Sequence, residues 1–163
     1  MKFIVDGMLG GLARWLRMLG YSVVYEANSS DESLLARAAT QRMTLLTRDE
    51  ELQKRAFAKN IPSLIVHGES EDERLAEMAN KLGISLTIDI ENTLCPECGS
   101  TLREASKREL SGLIPEASLN LYDRFWQCNN PGCLKVYWAG SHWNQINKTL
   151  AKARKLAGLE ART

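Results

Sequence analysis

The sequence has no apolar run long enough to cross a bilayer. Residues 1–25 come nearest, but Asp6, Arg14 and Arg17 interrupt them well before the roughly 20 apolar residues that a spanning helix needs. The same charges exclude a secretory leader, so a cytoplasmic address is expected. Internal repeats and low-complexity tracts are also missing, which excludes solenoid architectures and argues for an ordered chain. Charge of one sign is missing too: the formal net charge is +1, so no bulk field selects a partner. The two ends of the chain are nevertheless mildly basic around an acidic middle. Cysteine is scarce, with four in 163 residues, and in a reducing compartment four cysteines in two close pairs point to metal rather than disulfides. What is present, 44% hydrophobic and 25% charged residues, suffices for one good core with a small appended module.

Residues 1–92 alternate between two periodicities. Lys2 to Val5 is a short β-branched and aromatic run ending at Asp6. Leu9, Leu12, Leu16 and Leu19 then recur at helical spacing before Gly20. Tyr21 to Tyr25 reads as a second strand. Ser29 and Glu32 suggest a capping box for a helix reaching about Arg42, with Leu34, Leu35, Ala38 and Ala39 on its inner face. Met43 to Leu46 is a third strand, and Thr47 with Glu50 suggests another capped start for a helix carrying Leu52, Ala56 and Phe57. Pro62 to Val66 is a fourth strand, followed by a helix from about Glu71 to Leu82. Near-continuous apolar strands separated by helices predict the α/β class, with a parallel sheet covered on both faces. Strand order does not follow from this pattern.

From Thr93 the texture changes to cysteine knuckles and turn residues. A second module is expected over 93–138, and 139–163 should carry a C-terminal helix packed on the body. That helix spans about Ser141 to Leu156, with Trp143, Ile146, Leu150 and Ala153 on one face and Lys148, Lys152 and Lys155 on another.

Cys95-Pro-Glu-Cys98 and Cys128-Asn-Asn-Pro-Gly-Cys133 are two knuckles, and each delivers a pair of thiolates from one side. Together they complete a closed tetrahedron for structural zinc. Two disulfides or four free thiols are the other readings. The ribbon so formed either touches RNA or a protein partner, or only staples a segment too small for a core of its own.

The carboxylates supply the candidate chemistry. Asp6 closes the first strand, Asp49 follows the third, and Asp31 begins the second helix. In an open parallel sheet ligands collect beyond the carboxyl ends of the strands, so these side chains are expected to converge there. Carboxylates that share a site repel one another unless a hard cation such as magnesium or manganese joins them, and such a cation activates phosphate chemistry. Asp31 and Asp49 read equally as helix-capping acids. Arg14, Arg17 and Arg48 are candidate phosphate contacts, as is the lysine stripe of the last helix, although such a stripe also suits a solvated face. His142 is a candidate for proton transfer or substrate contact, or simply a packed residue.

Three stretches, Val5-Asp6-Gly7-Met8-Leu9-Gly10, Leu12 to Gly20 and Leu45-Leu46-Thr47-Arg48-Asp49, together resemble the PIN-like ribonuclease family named for the C-terminal domain of a mutator exonuclease. The cysteine module and Val136-Tyr137-Trp138-Ala139-Gly140-Ser141-His142-Trp143 are similar to that family's zinc ribbon and tail. The resemblance implies a PIN-like sheet whose acidic pocket binds magnesium or manganese and hydrolyses RNA. By position, Asp6 and Asp49 match its acidic motifs, and Asp31 matches less closely. PIN nucleases commonly use four acids. The fourth has no clear counterpart here, with Glu50 and Asp72 as candidates. A non-catalytic RNA-binding or ribosome-associated adaptor is the alternative reading. The sequence leaves the oligomeric state open.

Overall fold

A computed structural model describes residues 1–159. The last four residues of the expected C-terminal segment, 160–163, lie outside the described residues. Four parallel strands form the main sheet: β1 (Lys2–Val5), β2 (Ser22–Tyr25), β3 (Thr44–Thr47) and β4 (Ser63–Ile65), in the order β2-β1-β3-β4. The helices between them are α1 (Gly10–Met18, entered through a 3-10 turn at Gly7–Leu9), α2 (Asp31–Gln41) and α3 (Glu50–Ala58), and α4 (Glu71–Leu82) follows β4. The expected α/β class with a parallel sheet is what the chain forms.

The pleat divides the core. Phe3, Val5 and Leu46 face α1 and α4 on one side, with Leu12, Leu16, Leu75 and Met78. Ile4 and Leu45 face α2 and α3 on the other, with Leu34, Leu35, Leu52 and Ala56. Strands buried on both faces explain why their sequences read as continuous rather than alternating apolar runs. Each fully buried Phe or Leu in these layers contributes about 1.5–3 kcal/mol by leaving water.

Two helix starts differ by a residue or two from expectation. Ser30, not Ser29, caps α2 by accepting from the Ser33 amide. Asp49, not Thr47, caps α3 by accepting from the Glu51 and Leu52 amides. Adjacent short polar side chains compete for one cap, and the backbone leaving the strand decides between them. At α4 the box is formed by Ser70 and Glu73.

After an irregular connection, the second module holds an antiparallel three-stranded sheet, β5 (Leu102–Ala105), β6 (Phe125–Cys128) and β7 (Val136–Tyr137), in the order β5-β6-β7. Two short helices, α5 (Lys107–Leu110) and α6 (Glu116–Leu121), lie between β5 and β6. Ala105, Leu110, Leu119 and Phe125 form its small core. The chain then returns to the body as α7 (Ser141–Leu156), which packs on α4 and places Leu150 and Ala153 in the main core. Lys152 Nζ lies 2.9 Å from Asp72 Oδ2, and Arg154 donates to the Leu86 carbonyl at 2.8 Å, so α7 is held by charge as well as by packing.

Candidate functional site

The strand order sets where ligands can gather. From β1 the chain moves outward to β2, then crosses back over β1 to β3, so the winding direction reverses between β1 and β3. In open parallel sheets the crevice outside the carboxyl ends at such a reversal is the usual ligand site. Asp6 leaves β1 and Asp49 follows β3 on either side of it.

One hydroxyl joins them. Thr47, which is fully buried, donates from Oγ1 to Asp6 Oδ2 at 2.8 Å. The same oxygen accepts from the Asp49 amide at 2.9 Å. The Asp6 amide in turn donates to the Leu46 carbonyl at 3.0 Å. Asp49 Oδ1 is occupied in capping α3. Neither Asp6 nor Asp49 has a lysine or arginine partner among the described residues. Asp31 differs: Arg55 Nη1 lies 3.1 Å from its Oδ2 while Nη2 reaches Glu32 at 2.6 Å. That pair is exposed and therefore weak.

A carboxylate that sequence reasoning missed comes against the first turn of α1 from the start of α4. Glu71 Oε2 is buried without a hydrogen-bond partner, while Oε1 lies 3.3 Å from Arg74. Glu71 can approach because residue 11 is glycine: a Cβ there would lie 2.5 Å from Glu71 Oε1. Gly7 and Gly10 are hemmed in similarly, by the Ala27 carbonyl and the Tyr25 hydroxyl, at 2.5 and 2.7 Å from a built Cβ. Three glycines thus let the β2–α2 loop, β2 and α4 close around the turn that follows Asp6. The alternatives expected from sequence have neighbours of their own. Asp72 pairs with Lys152, and Glu50 sits beside Gln53, Lys54, Leu64 and His67.

These acids do not form a tight cage. Among the described residues, the group of three or more Cys, His, Asp or Glu whose ligand atoms lie within 4.8 Å of one another is the four cysteines. A looser rim still suits magnesium, which keeps several waters and binds through one or two carboxylates plus substrate phosphate.

The cysteine cluster has a different geometry. Cys95 and Cys133 Sγ lie 3.8 Å apart, and Cys98 and Cys128 Sγ lie 3.4 Å apart. A zinc–thiolate tetrahedron with bonds of about 2.3 Å has edges of about 3.8 Å, so the four atoms fit zinc, and they are too far apart for disulfides. Burial opposes the Cys98 thiolate, but hydrogen bonds from Ser100, Cys128 and Asn130 bring its pKa below the ordinary value. Burial, reinforced by Cys98 and Cys95, pushes Cys128 up. Thiolates held this close repel one another, and a shared divalent cation is what relieves that repulsion.

A family model for the Mut7-C RNAse domain matches residues 1–150. The chain belongs to the Mut7-C RNAse domain family. The matched span takes in the sheet, the cysteine module and most of α7. No curated protein and no solved structure matches the chain significantly.

Within this Mut7-C chain the cationic candidates separate. Arg17 is 5% exposed, and its guanidinium is consumed by the carbonyls of Val23, Pro96 and Glu97. The expectation that it meets phosphate gives way to a structural role. Arg14 is exposed and pairs with Glu97 of the first knuckle at 2.7 Å. Arg48, between Thr47 and Asp49 in the chain, donates to the Gly68 carbonyl at 2.8 Å and pairs with Glu69 at 2.9 Å. Arg74 donates to the same Gly68 carbonyl at 2.8 Å, so two arginines fix the loop that leads into α4. His142 lies elsewhere, exposed in a groove with Tyr122, Trp138 and Trp143 between the cysteine module and α7. No helix among the described residues is long and apolar enough to cross a membrane.

Proposed function

We propose that this Mut7-C protein hydrolyses RNA phosphodiesters at the β1–β3 crevice, using magnesium or manganese held by Asp6 and Asp49, with structural zinc in the cysteine module. The observation that carries the reading is the Thr47 hydroxyl, which ties Asp6 to the backbone of Asp49 at the point where the sheet's winding reverses. Bound there, the cation would polarise a phosphoryl oxygen and lower the pKa of water.

The chain's own residues do the rest. Thr47 fixes the Asp6 carboxylate, leaving Oδ1 directed to ligand. The Asp49 side chain is oriented by its cap, with Oδ2 remaining. Glu71 supplies a third negative oxygen opposite the first turn of α1. Asp31 joins only by exchanging Arg55 for the cation, which makes it a peripheral ligand. The N-termini of α1, α3 and α4 all open at this edge, because each follows a strand of one parallel sheet. Their amide dipoles favour an incoming phosphate. Arg48 is the cation best placed to steady it, alongside its hold on Gly68. Cys95, Cys98, Cys128 and Cys133 would hold the zinc, closing the module with no open coordination position.

Incubating single-stranded and structured RNAs with manganese tests this. Cleavage by the wild type that is abolished in Asp6→Asn and in Asp49→Asn, with far-ultraviolet circular dichroism unchanged, is the expected result. Undiminished cleavage by the double variant removes the assignment. Salt-sensitive RNA binding by a wild type that never cleaves would favour the adaptor reading instead.

A further inference from the structure

The first knuckle is tied to the body by a buried cation. Pro96 and Glu97 are the two residues between Cys95 and Cys98, and both carbonyls accept from Arg17 Nη1 at 3.1 Å. On the opposite side of the same guanidinium, Nη2 donates to the Val23 carbonyl at 3.1 Å and Nε at 3.4 Å. Gly99 leaves the space this needs, since a Cβ there would lie 3.1 Å from Arg17 Nε. The end of α1 is stitched to the strand entering the knuckle as well. The Leu94 amide donates to the Arg17 carbonyl and the Thr93 hydroxyl to the Met18 carbonyl, each at 3.0 Å.

The charges argue for a purpose. Four thiolates around a divalent ion leave two net negative charges, taken largely out of water, and such a group needs a cation nearby. Burial lowers the Arg17 pKa, while Cys98, Cys95 and Glu97 raise it. A guanidinium remains charged in any case. The other cations at the knuckle, Arg14 and Lys135, are more than half exposed and reach it only through the Glu97 carboxylate.

We propose that Arg17 is the buried counter-cation of the tetracysteine zinc centre and the link through which zinc occupancy firms up α1 and β2 of the nuclease body. Arg17 is a positioning residue in this role: it touches the knuckle backbone, not the metal. The inference rests on the zinc reading above. When the knuckle is formed, its two carbonyls and the zinc charge satisfy the guanidinium. When zinc leaves, the knuckle relaxes and a buried cation loses two of its three carbonyl acceptors, so the Val23 end of the clasp loosens too.

Competition for zinc against a chromophoric chelator, with cobalt absorption as a second signal, tests the idea. Arg17→Met is expected to weaken zinc binding by about 10- to 100-fold, the usual effect of removing a partner that supports metal ligands. Arg17→Lys, which keeps the charge without the fork, should lose less, and Arg14→Ala should bind within a few-fold of wild type. Hydrogen exchange of the wild type gives a readout that needs no variant to fold: chelating zinc should speed exchange at Val24 and in the last turn of α1. Zinc binding by Arg17→Met equal to wild type, an equal loss in Arg14→Ala, or exchange unaffected by chelation would each overturn the proposal. Wild-type protein that takes up neither zinc nor cobalt would overturn the zinc reading itself, and the proposal with it.

Discussion

Replacing Thr47 by Val keeps the shape of the side chain and deletes the hydroxyl that joins the two halves of the acidic rim. Asp6 Oδ2 loses a donor at 2.8 Å, and the Asp49 amide loses its acceptor at 2.9 Å. A hydrogen bond to a charged group is worth about 1.5–3 kcal/mol, and a buried amide left unpaired costs about 1–3 kcal/mol, less for that of Asp49, which is exposed and can turn to water. The two losses share one atom and Asp6 is only half-buried, so they do not add in full. The expected destabilisation is roughly 1–3 kcal/mol, offset slightly by the more apolar side chain. Urea unfolding with zinc kept saturating should show a lower midpoint at unchanged slope. Manganese-dependent cleavage should fall by about 10- to 100-fold, because Asp6 would no longer be held in one orientation. A Thr47→Val protein that unfolds at the wild-type urea concentration and cleaves at the wild-type rate would refute the reasoning, since Thr47 would then be a bystander between two independent carboxylates.

Two further outcomes follow from other contacts. Gly11→Ala introduces a methyl 2.5 Å from Glu71 Oε1 and should push that carboxylate away from α1. Manganese affinity is then expected to drop while the zinc content stays constant; an unchanged manganese titration would exclude Glu71 from the site. Lys152 holds the Asp72 carboxyl below its ordinary value of 3.8. The stability this gives is fully present above that value and is lost as the pH falls through the lower folded value. Lys152→Met should therefore lower the urea midpoint near neutrality and flatten its acid dependence as the pH falls below the ordinary carboxylate value. A variant whose midpoint falls with acid as steeply as wild type would show that other groups carry the effect.

The local periodicities were sufficient for every strand and helix of the main sheet, because burial on two faces and capping leave marks within a few residues. The strand order was not legible, since nothing local records that β3 lies beside β1 rather than β2. It is this order that brings Asp6 and Asp49 to one crevice. Arg17 misled for a related reason. One helical turn from Arg14 on a surface-like helix, it reads as solvent-facing, and only the knuckle eighty residues later covers it. Glu71 was masked by its setting, one acid among three in a helix's first turn. The signal that could have found it was the glycine at position 11, whose missing side chain makes room for a carboxylate from another element. The short helices α5 and α6 escaped notice among turn residues, although Ser106 and Glu109 form a capping box at the first of them.

The cysteine module leaves the body at Thr93 and is delivered back to it by α7, whose Leu150 lies in the main core. A segment anchored at both ends cannot swing like an arm on a linker. Whatever strand of nucleic acid or surface of another molecule rests on it is presented at a set distance and angle from the mouth of the sheet. The distance from the module to the sheet is in that sense written into the fold, as a ruler rather than a hinge.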